Sequence, residues 1–176
     1  MNKSNMSFRK FVLQDWAANK HNTKGRIVTL CFRIANYGRC NKTARYLLLP
    51  YRVFYTLLFE WLLGIEIKYQ TVIGAGLRIF HIQAIVINQG AVIGENCTLR
   101  QSITIGNKVD GGQCPVIGNN VNIGAQVCIL GDITIGDNVN IGAGSIVVKS
   151  VQPNCTVAGN PSRIIKSADN LEIIKQ

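Results

Sequence analysis

The sequence is short of aromatic residues and rich in glycine. Aromatic side chains make up only 7% of its 176 residues, while glycine occurs 17 times. So few large side chains argue against a compact α/β or helical-bundle core and predict a narrow interior filled by short side chains. Because 47% of the residues are hydrophobic, intrinsic disorder is excluded, and the length fits one domain with a small appended segment.

Paired cysteines are also missing. The six cysteines contain no Cys-x-x-Cys spacing, which predicts reduced thiols, several of them serving as small core residues. The first eleven residues, MNKSNMSFRKF, are polar and charged rather than apolar. No signal peptide is therefore predicted, and we expect a cytoplasmic protein.

The chain has no apolar run of the roughly twenty residues that span a bilayer. The dense apolar run at residues 51–63 is interrupted by Arg52 and Glu60. The net charge of +10 is concentrated in residues 1–60, where eleven Lys or Arg face two carboxylates, and the remainder carries only +1. This asymmetry predicts contact with a polyanion or an anionic membrane surface, or else a solvated face that aids solubility. The basic residues form no recognisable nucleic-acid module, so no nucleic-acid partner is expected.

Residues 1–63 are predicted to form an N-terminal helical segment. The stretches 26–35 and 44–63 have the character of helices, and Pro50 either breaks the second stretch or begins a new helix in its first turn. We expect this segment to pack on the rest of the protein. The alternative is contact with a membrane interface through Tyr55, Trp61 and the basic flank.

Residues 64–166 repeat with a period of six. An aliphatic residue recurs at every sixth position, often followed by glycine, and a small or β-branched residue recurs four positions later. The aliphatic series is Ile67, Ile73, Ile79, Ile85, then Ile87, Ile93, Leu99, Ile105, Ile117, Ile123, Ile129, Ile135, Ile141 and Val147. This period predicts a mainly β fold, a left-handed parallel β-helix in which three hexapeptides make one triangular coil. Residues eighteen apart, such as Ile87, Ile105, Ile123 and Ile141, are expected to stack inside the prism.

Two departures from the period mark candidate functional positions. The aliphatic series shifts by two residues across 81–86. Residues 107–115, NKVDGGQCP, replace the pattern with a polar, glycine-rich stretch that predicts an extended loop. A rigid scaffold that breaks its own rule usually does so at a functional site. The helices are expected to cap one end of the prism, and residues 167–176 form a C-terminal tail.

Six stretches carry a resemblance to a known family. They are GIEI (64–67), IFHIQAIVIN (79–88), TIGN (104–107), CPVIGNNVNIGA (114–125), ILGDITIGDNVNIGAGSIV (129–147) and AGNPSRII (158–165). They resemble the hexapeptide-repeat acyltransferases, in the serine acetyltransferase-like branch and nearest to the O-acetyltransferases of colanic acid and capsular polysaccharide biosynthesis. The resemblance implies acetyl-CoA as co-substrate, and a homotrimer with active sites at the subunit interfaces.

His81 matches the catalytic histidine of this family. An imidazole titrates near neutrality, so it can take a proton from an acceptor hydroxyl as that oxygen attacks the thioester carbonyl. Glu66 falls where the serine enzymes carry the aspartate that orients this base. The ordinary alternatives are a histidine without a chemical role and a surface carboxylate. His21, in the polar run NKHNTKG, is expected to be solvated.

Seven residues are expected to contact acetyl-CoA. They are Gly106, Asn107, Lys108, Ala125, Ala143, Arg163 and Lys166. The first three belong to a turn whose backbone N–H groups would stabilise the tetrahedral oxyanion. The two alanines match positions whose backbone meets the pantetheine arm, with ordinary corner packing as the alternative. The two cations would meet the nucleotide phosphates.

The acceptor is predicted from departures from the serine enzymes. Those enzymes place an Arg-His pair before the loop proline and an aspartate before the catalytic histidine, where this chain has Gln113-Cys114 and Phe80. Losing these charges removes the recognition of a small zwitterion. The predicted acceptor is therefore a sugar hydroxyl of a capsular polysaccharide or exopolysaccharide, or of its lipid-linked precursor at the inner face of the cytoplasmic membrane.

Other functions fit parts of the pattern. A serine O-acetyltransferase, an amino-sugar N-acetyltransferase and a non-catalytic assembly protein remain alternatives. A zinc β-helix enzyme of the carbonic anhydrase type is excluded, because it needs three histidines per site and the repeat contains only His81. No metal is predicted.

Overall fold

The computed structural model describes residues 6–39 and 42–167, so most of the predicted tail 167–176 lies outside the described residues. The helices are α1 (Phe8–Val12), α2 (Thr23–Tyr37), α3 (Lys42–Leu47), α4 (Leu49–Tyr55) and a π-helix (Thr56–Leu62) that continues α4. The two stretches predicted as helices fall on α2 and on α3 to the π-helix. Pro50 lies in the first turn of α4, where its missing N–H costs no hydrogen bond.

Short strands follow from residue 66. They are β1 (Glu66–Ile67), β2 (Val72–Ile73), β3 (Arg78–Ile79), β4 (Val86–Ile87), β5 (Val92–Ile93), β6 (Thr98–Leu99), β7 (Thr104–Gly106), β8 (Val116–Ile117), β9 (Asn122–Ile123), β10 (Cys128–Leu130), β11 (Thr134–Ile135), β12 (Asn140–Ile141), β13 (Ile146–Val147), β14 (Thr156–Ala158) and β15 (Arg163–Lys166). The first sheet has the order β1-β4-β7-β10-β13, the second β11-β8-β5-β2, and the third β15-β14-β12-β9-β6-β3. All neighbours pair in parallel except β14 with β15.

These three sheets are the sides of a triangular prism of about five coils, which is the predicted left-handed parallel β-helix. Each side buries two residues per hexapeptide, the aliphatic residue of the strand and the residue two positions before it. Ile85 and Ile87 are such a pair, and Ile103 and Ile105 repeat it one coil later, all at most 1% exposed. Successive side chains of a strand point to opposite faces of the sheet. The residue between the two buried ones therefore points outward and stays accessible.

One predicted stack is wrong. Ile87 pairs with Ile105, but Ile105 continues to Ile129 in the first sheet. Ile123 pairs instead with Ile141 in the third sheet. The cause is the extended loop, residues 107–115, which lengthens one corner without advancing the coil. Residues after the loop therefore lie one side of the prism earlier than the eighteen-residue period predicts.

Two of the five described cysteines are core residues, of the kind that the sequence predicted. Cys97 and Cys155 are buried, and all five described cysteines are free. Burial raises the pKa of the Cys97 thiol, so this group stays protonated near neutral pH.

Buried polar contacts join the helices to the open end of the prism. Arg33 and Asp15 form an ion pair with Nε and Oδ2 2.7 Å apart, and each side chain is 1% exposed. Arg33 also donates to the carbonyls of Ile73 and Gly74, while Asp15 accepts from the Leu77 N–H. Since β2 and β3 have no preceding coil, their free backbone groups are satisfied by these side chains.

Replacing Arg33 should therefore destabilise the fold. Arg33→Met leaves the Asp15 carboxylate buried without its cation, which typically costs about 3–5 kcal/mol. We expect its urea-unfolding midpoint to fall well below that of Lys24→Met, which removes an exposed cation from the same helix. Equal midpoints for the two variants would show that the ion pair does not hold the helices on the prism.

Candidate functional site

The predicted base lies at the corner where the third sheet turns into the first. We call the line of these corners, residues 80–85, 100–103, 124–127 and 142–145, the His81 edge. The first of these corners has six residues and the others have four. Phe80 and Gln83 still make ladder hydrogen bonds with the next coil, at 2.8 and 2.9 Å. The two extra residues are therefore His81 and Ile82.

His81 stands on this bulge with a backbone φ of 56°, in the left-handed region that non-glycine residues seldom adopt. Its side chain is exposed, while Ile82 packs against the core and Phe80 is half-buried. Both neighbours thus anchor the bulge, and the imidazole projects from the prism. In residues 6–39 and 42–167, no hydrogen bond or ion pair engages the His81 ring, so it remains available to a ligand.

Glu66 lies in β1 beside the His81 edge, paired with Val86 of the next coil. Its side chain is exposed. No hydrogen bond joins Glu66 to His81 within the described part of the chain. Orientation of the imidazole by this carboxylate therefore stays a prediction.

Ala125 and Ala143 occupy later corners of the same edge. The Ala125 carbonyl accepts from the Gly144 N–H at 2.8 Å, so this carbonyl already serves the solenoid. The two coils approach each other most closely at Gly124, since a Cβ on Gly124 would lie 2.5 Å from the Ala143 nitrogen. The small side chain that this close contact requires is therefore at Gly124 and not at the alanines. The Ala143 side chain is exposed to solvent.

Arg163 and Lys166 lie at the C-terminal end of the prism, on β15, and both are exposed. A β-bulge in the β14–β15 pairing places Arg163 opposite Ala158 and Lys166 opposite Thr156. Both cations thus pair with outward-facing residues of β14. The turn between β14 and β15 packs on the last corner of the His81 edge, where the Gly159 N–H donates to the Ser145 hydroxyl.

The extended loop begins at the opposite edge of the first sheet. We call this line of corners, residues 68–71, 88–91, 107–115, 131–133 and 148–150, the loop edge. Asn107 fixes the start of the loop, because it accepts from the Asn88 side chain at 3.1 Å and donates to the Val109 carbonyl at 2.6 Å. Its backbone N–H has no acceptor in the described part of the chain and can serve as a donor to a ligand.

The remaining loop residues differ in exposure. Lys108 and Gln113 are exposed, whereas Cys114 is half-buried. A Cβ added to Gly90 would lie 3.1 Å from the Cys114 sulfur, so this side chain packs on the prism one coil below. Of the two predicted acceptor contacts in the loop, only Gln113 is free to reach outward.

A cavity of about 360 Å³ lies on the first sheet against the loop edge. Glu66, Gly106 and Asn107 line it, together with Asn88 and Leu130. His81 and the two alanines do not. The predicted residues therefore form two groups on the two edges of one sheet, and a single chain does not bring them together.

Sequence reasoning missed one polar residue beside the base. Gln101 lies in the corner directly above the His81 bulge, and its Oε1 is buried without a hydrogen-bond donor among the described residues. A buried acceptor without a donor is costly and is often completed by a ligand or neighbour. The only signal in the sequence is that Gln101 is a polar residue eighteen positions after Gln83. The stacking of the coils is needed to show that the two residues are neighbours.

Within residues 6–39 and 42–167, no three His, Cys, Asp or Glu side chains gather into a potential metal site. None of the helices described there is both long and apolar enough to cross a membrane.

A prism of hexapeptide coils with an exposed imidazole on its edge defines a hexapeptide-repeat transferase, and comparisons with known proteins agree. The family described as "Bacterial transferase hexapeptide (six repeats)" matches residues 114–149. The "Putative colanic acid biosynthesis acetyltransferase WcaB" of Escherichia coli (strain K12) is 40% identical over 158 residues, which cover 87% of this chain and 98% of that protein. The mitochondrial serine acetyltransferase 3 of Arabidopsis thaliana is 49% identical over 100 residues, covering 56% of this chain and 26% of that protein.

Solved structures extend the likeness to the helices. Soybean serine acetyltransferase complexed with serine has a TM-score of 0.77 and 30% identity, covering 93% of this chain and 71% of that chain. The chain therefore belongs to the hexapeptide-repeat acetyltransferase family, near both the colanic acid and the serine enzymes, as the sequence predicted. It is an acetyltransferase whose acetyl donor is acetyl-CoA.

Proposed function

We propose that this protein transfers acetyl from acetyl-CoA to a sugar hydroxyl of a capsular polysaccharide or exopolysaccharide, or of its lipid-linked precursor, with His81 as general base. The observation that carries the proposal is the exposed imidazole on a two-residue bulge of an otherwise regular prism. The near full-length similarity to the colanic acid protein supports the saccharide over serine.

The chemistry needs no covalent enzyme intermediate. His81 takes the hydroxyl proton as the sugar oxygen attacks the thioester carbonyl. The tetrahedral oxyanion then accepts hydrogen bonds from backbone donors, for which the free Asn107 N–H is our candidate. Collapse of the intermediate forms the ester, breaks the carbon–sulfur bond, and returns the proton from imidazolium to the leaving CoA thiolate. Glu66 is proposed to stabilise the imidazolium.

A homotrimer completes the site in this proposal. The outward residues of the first sheet above Glu66 are Val86, Thr104, Cys128 and Ile146, an uncharged strip with the composition of a subunit contact. The His81 edge and the loop edge flank this strip. Packing it against a second copy would bring His81 of one chain towards the Gly106-Asn107 turn of another.

Acetyl-CoA is proposed to lie along the His81 edge. Neighbouring coils are about 4.8 Å apart, so the four steps from the bulge to the end of the prism cover about 19 Å. An extended pantetheine arm would pass Ala125 and Ala143 on this path. The phosphates would then lie near Arg163 and Lys166, while the thioester faces His81.

Two side chains, Phe80 on the His81 edge and Gln113 in the extended loop, support the proposed acceptor. Phe80 precedes His81 with a half-buried ring, which offers an apolar face to the carbon–hydrogen side of a sugar and no carboxylate to pair with an ammonium. Gln113 is exposed in the loop and offers an amide in place of a cation. Both features suit a neutral hydroxyl donor better than L-serine.

The N-terminal helices are proposed to contact the cytoplasmic membrane surface. Leu49, Val53, Leu57 and Trp61, spaced four residues apart along α4 and the π-helix, are all more than half exposed, Trp61 by 80%. The carboxylates of described residues 6–63, Asp15 and Glu60, are buried, so the exposed charges there are cationic. An apolar stripe with a basic surround is typical of a helix lying in an anionic lipid interface.

Activity should depend on His81. We expect His81→Gln to lower kcat for acetylation of the host's surface polysaccharide or its lipid-linked precursor by about 10²–10⁴, because proton removal is lost while binding is retained. His21→Gln, at an exposed position outside the prism, is the matched control and should keep full activity. Release of CoA and incorporation of labelled acetyl are the readouts. Equal rates for both variants would refute the base assignment, and preferential transfer to L-serine would refute the acceptor.

Membrane contact should depend on the apolar stripe. The wild-type protein is expected to co-sediment with vesicles containing phosphatidylserine, less so at high salt, and the double change Leu57→Ser with Trp61→Ser should abolish this. Ile165→Ser, at an exposed apolar position at the other end of the prism, is the control. Retained sedimentation of the double variant, or a change from trimer to a smaller species in ultracentrifugation, would assign the stripe to something other than lipid.

A further inference from the structure

We propose that a polar cavity on the third sheet, beside the His81 bulge, binds an oxyanion-bearing sugar of the acceptor. This inference rests on the proposed function and names a chemical class for its substrate. The cavity measures about 340 Å³. It is lined by Gln14, Ala17, Ala18, Gly76, Arg78, Asn96 and Thr98, so it lies between the α1–α2 connection and the first two coils.

Arg78 supplies a positioned cation. Its Nε donates to the Ala18 carbonyl at 2.9 Å, which fixes the guanidinium plane against the helical segment. The two Nη groups have no acceptor in residues 6–39 and 42–167, and the ion pairs found there involve other cations. A fixed guanidinium with free donors is the side chain best suited to a carboxylate or phosphate.

A second guanidinium extends this site towards the base. Arg100 donates through Nη1 to the Asn122 side chain at 2.7 Å and to the Ile123 carbonyl at 3.2 Å. Its Nε and Nη2 remain unbonded in the described part of the chain. The guanidinium carbons of Arg78 and Arg100 lie 6.0 and 5.9 Å from the centroid of the Phe80 ring. Two cations therefore lie near the ring that immediately precedes His81, and no ion pair within residues 6–39 and 42–167 neutralises either of them.

Gln14 is independent evidence that the cavity binds a ligand, because a polar atom on its wall has no hydrogen-bond partner among the described residues. Its Nε2 is buried and has no acceptor among the described residues. A buried donor without an acceptor is destabilising, so its presence on the wall of a polar cavity points to a ligand oxygen. Asn96 and the Thr98 hydroxyl add neutral hydrogen-bonding groups of the kind that read sugar hydroxyls.

The position of the cavity predicts how the acceptor runs across the protein, from the third sheet past Phe80 to His81. An acidic sugar in the cavity would lie on the outer face of the third sheet, and Phe80 is the residue between that face and His81. The adjoining sugar would then stack on Phe80 and present its hydroxyl to the imidazole. A uronic acid carboxylate and a sugar diphosphate share this recognition chemistry.

The test compares an acidic acceptor with its neutral form, and with a sugar diphosphate as a second source of negative charge. The full-length protein is assayed with acetyl-CoA and an oligosaccharide containing uronic acid, the same oligosaccharide after carboxyl reduction, and a sugar diphosphate. Direct binding of all three is measured by calorimetry. The wild-type protein should bind the anionic ligands more tightly, and Arg78→Met should reduce this preference about tenfold to a hundredfold. The change should appear in KM for the acceptor and not in KM for acetyl-CoA.

Two further variants keep the result interpretable. Gln14→Leu, which retains both guanidiniums, should weaken binding of all three sugars alike. Lys149→Met removes an exposed cation on the loop edge and should change nothing. Whichever of the two anionic ligands binds more tightly, the uronic acid oligosaccharide or the sugar diphosphate, shows whether the cavity recognises a carboxylate or a diphosphate.

Three results are decisive. Equal binding of acidic and reduced oligosaccharide by the wild-type protein, or an unchanged preference in folded Arg78→Met, would overturn the inference. Binding of the acidic ligand that Arg78→Met abolishes, without acetyl transfer to any saccharide, would support the cavity and instead refute the proposed function. Preference for the acidic acceptor in both binding and transfer supports both.

Discussion

The structure depends on the backbone ladder between successive coils. Each strand pairs in parallel with the strand above it, and the aliphatic residue of each strand stacks on its equivalent, as Ile87 does on Ile105 and Ile105 on Ile129. Because side chains alternate between the two faces of a strand, a slip of one residue would turn a buried isoleucine outward. The ladder therefore permits extra residues only at corners. The two insertions, the His81 bulge and the extended loop, both lie at corners of the first sheet.

The same constraint explains why the helices are attached as they are. A stack of coils has an open first coil, and here Asp15 and Arg33 bond to its free backbone groups while burying their own charges. This arrangement removes one of the two carboxylates of residues 1–60 from the surface, and the other, Glu60, is buried beside Lys68. The positive character of the helical segment comes from its composition, eleven Lys or Arg against two carboxylates, because the buried pair removes one charge of each sign. It leaves a cationic surface around the apolar residues of α4 and the π-helix.

Periodicity predicted the prism well, because burial of two residues per hexapeptide leaves a direct trace in the sequence. The same trace located the His81 bulge and the loop, which interrupt it. Periodicity failed for the stack containing Ile123, since the number of residues that a loop absorbs is not encoded in the repeat. It also could not reveal that Gln101 lies above the bulge, that Arg78 and Arg100 flank Phe80, or that Gln14 closes the neighbouring cavity. Those contacts join residues far apart in sequence, and only the register and the helix packing determine them.

The imidazole on the bulge is proposed to lie beside bound acetyl-CoA, and the two histidines of the chain allow this position to be tested directly. Both are exposed, so diethyl pyrocarbonate should modify each of them in the free protein, with mass spectrometry measuring the two rates separately. Saturating acetyl-CoA is predicted to slow modification of His81 and to leave His21, in the helical segment, unchanged. Equal modification rates of His81 with and without acetyl-CoA would contradict the account.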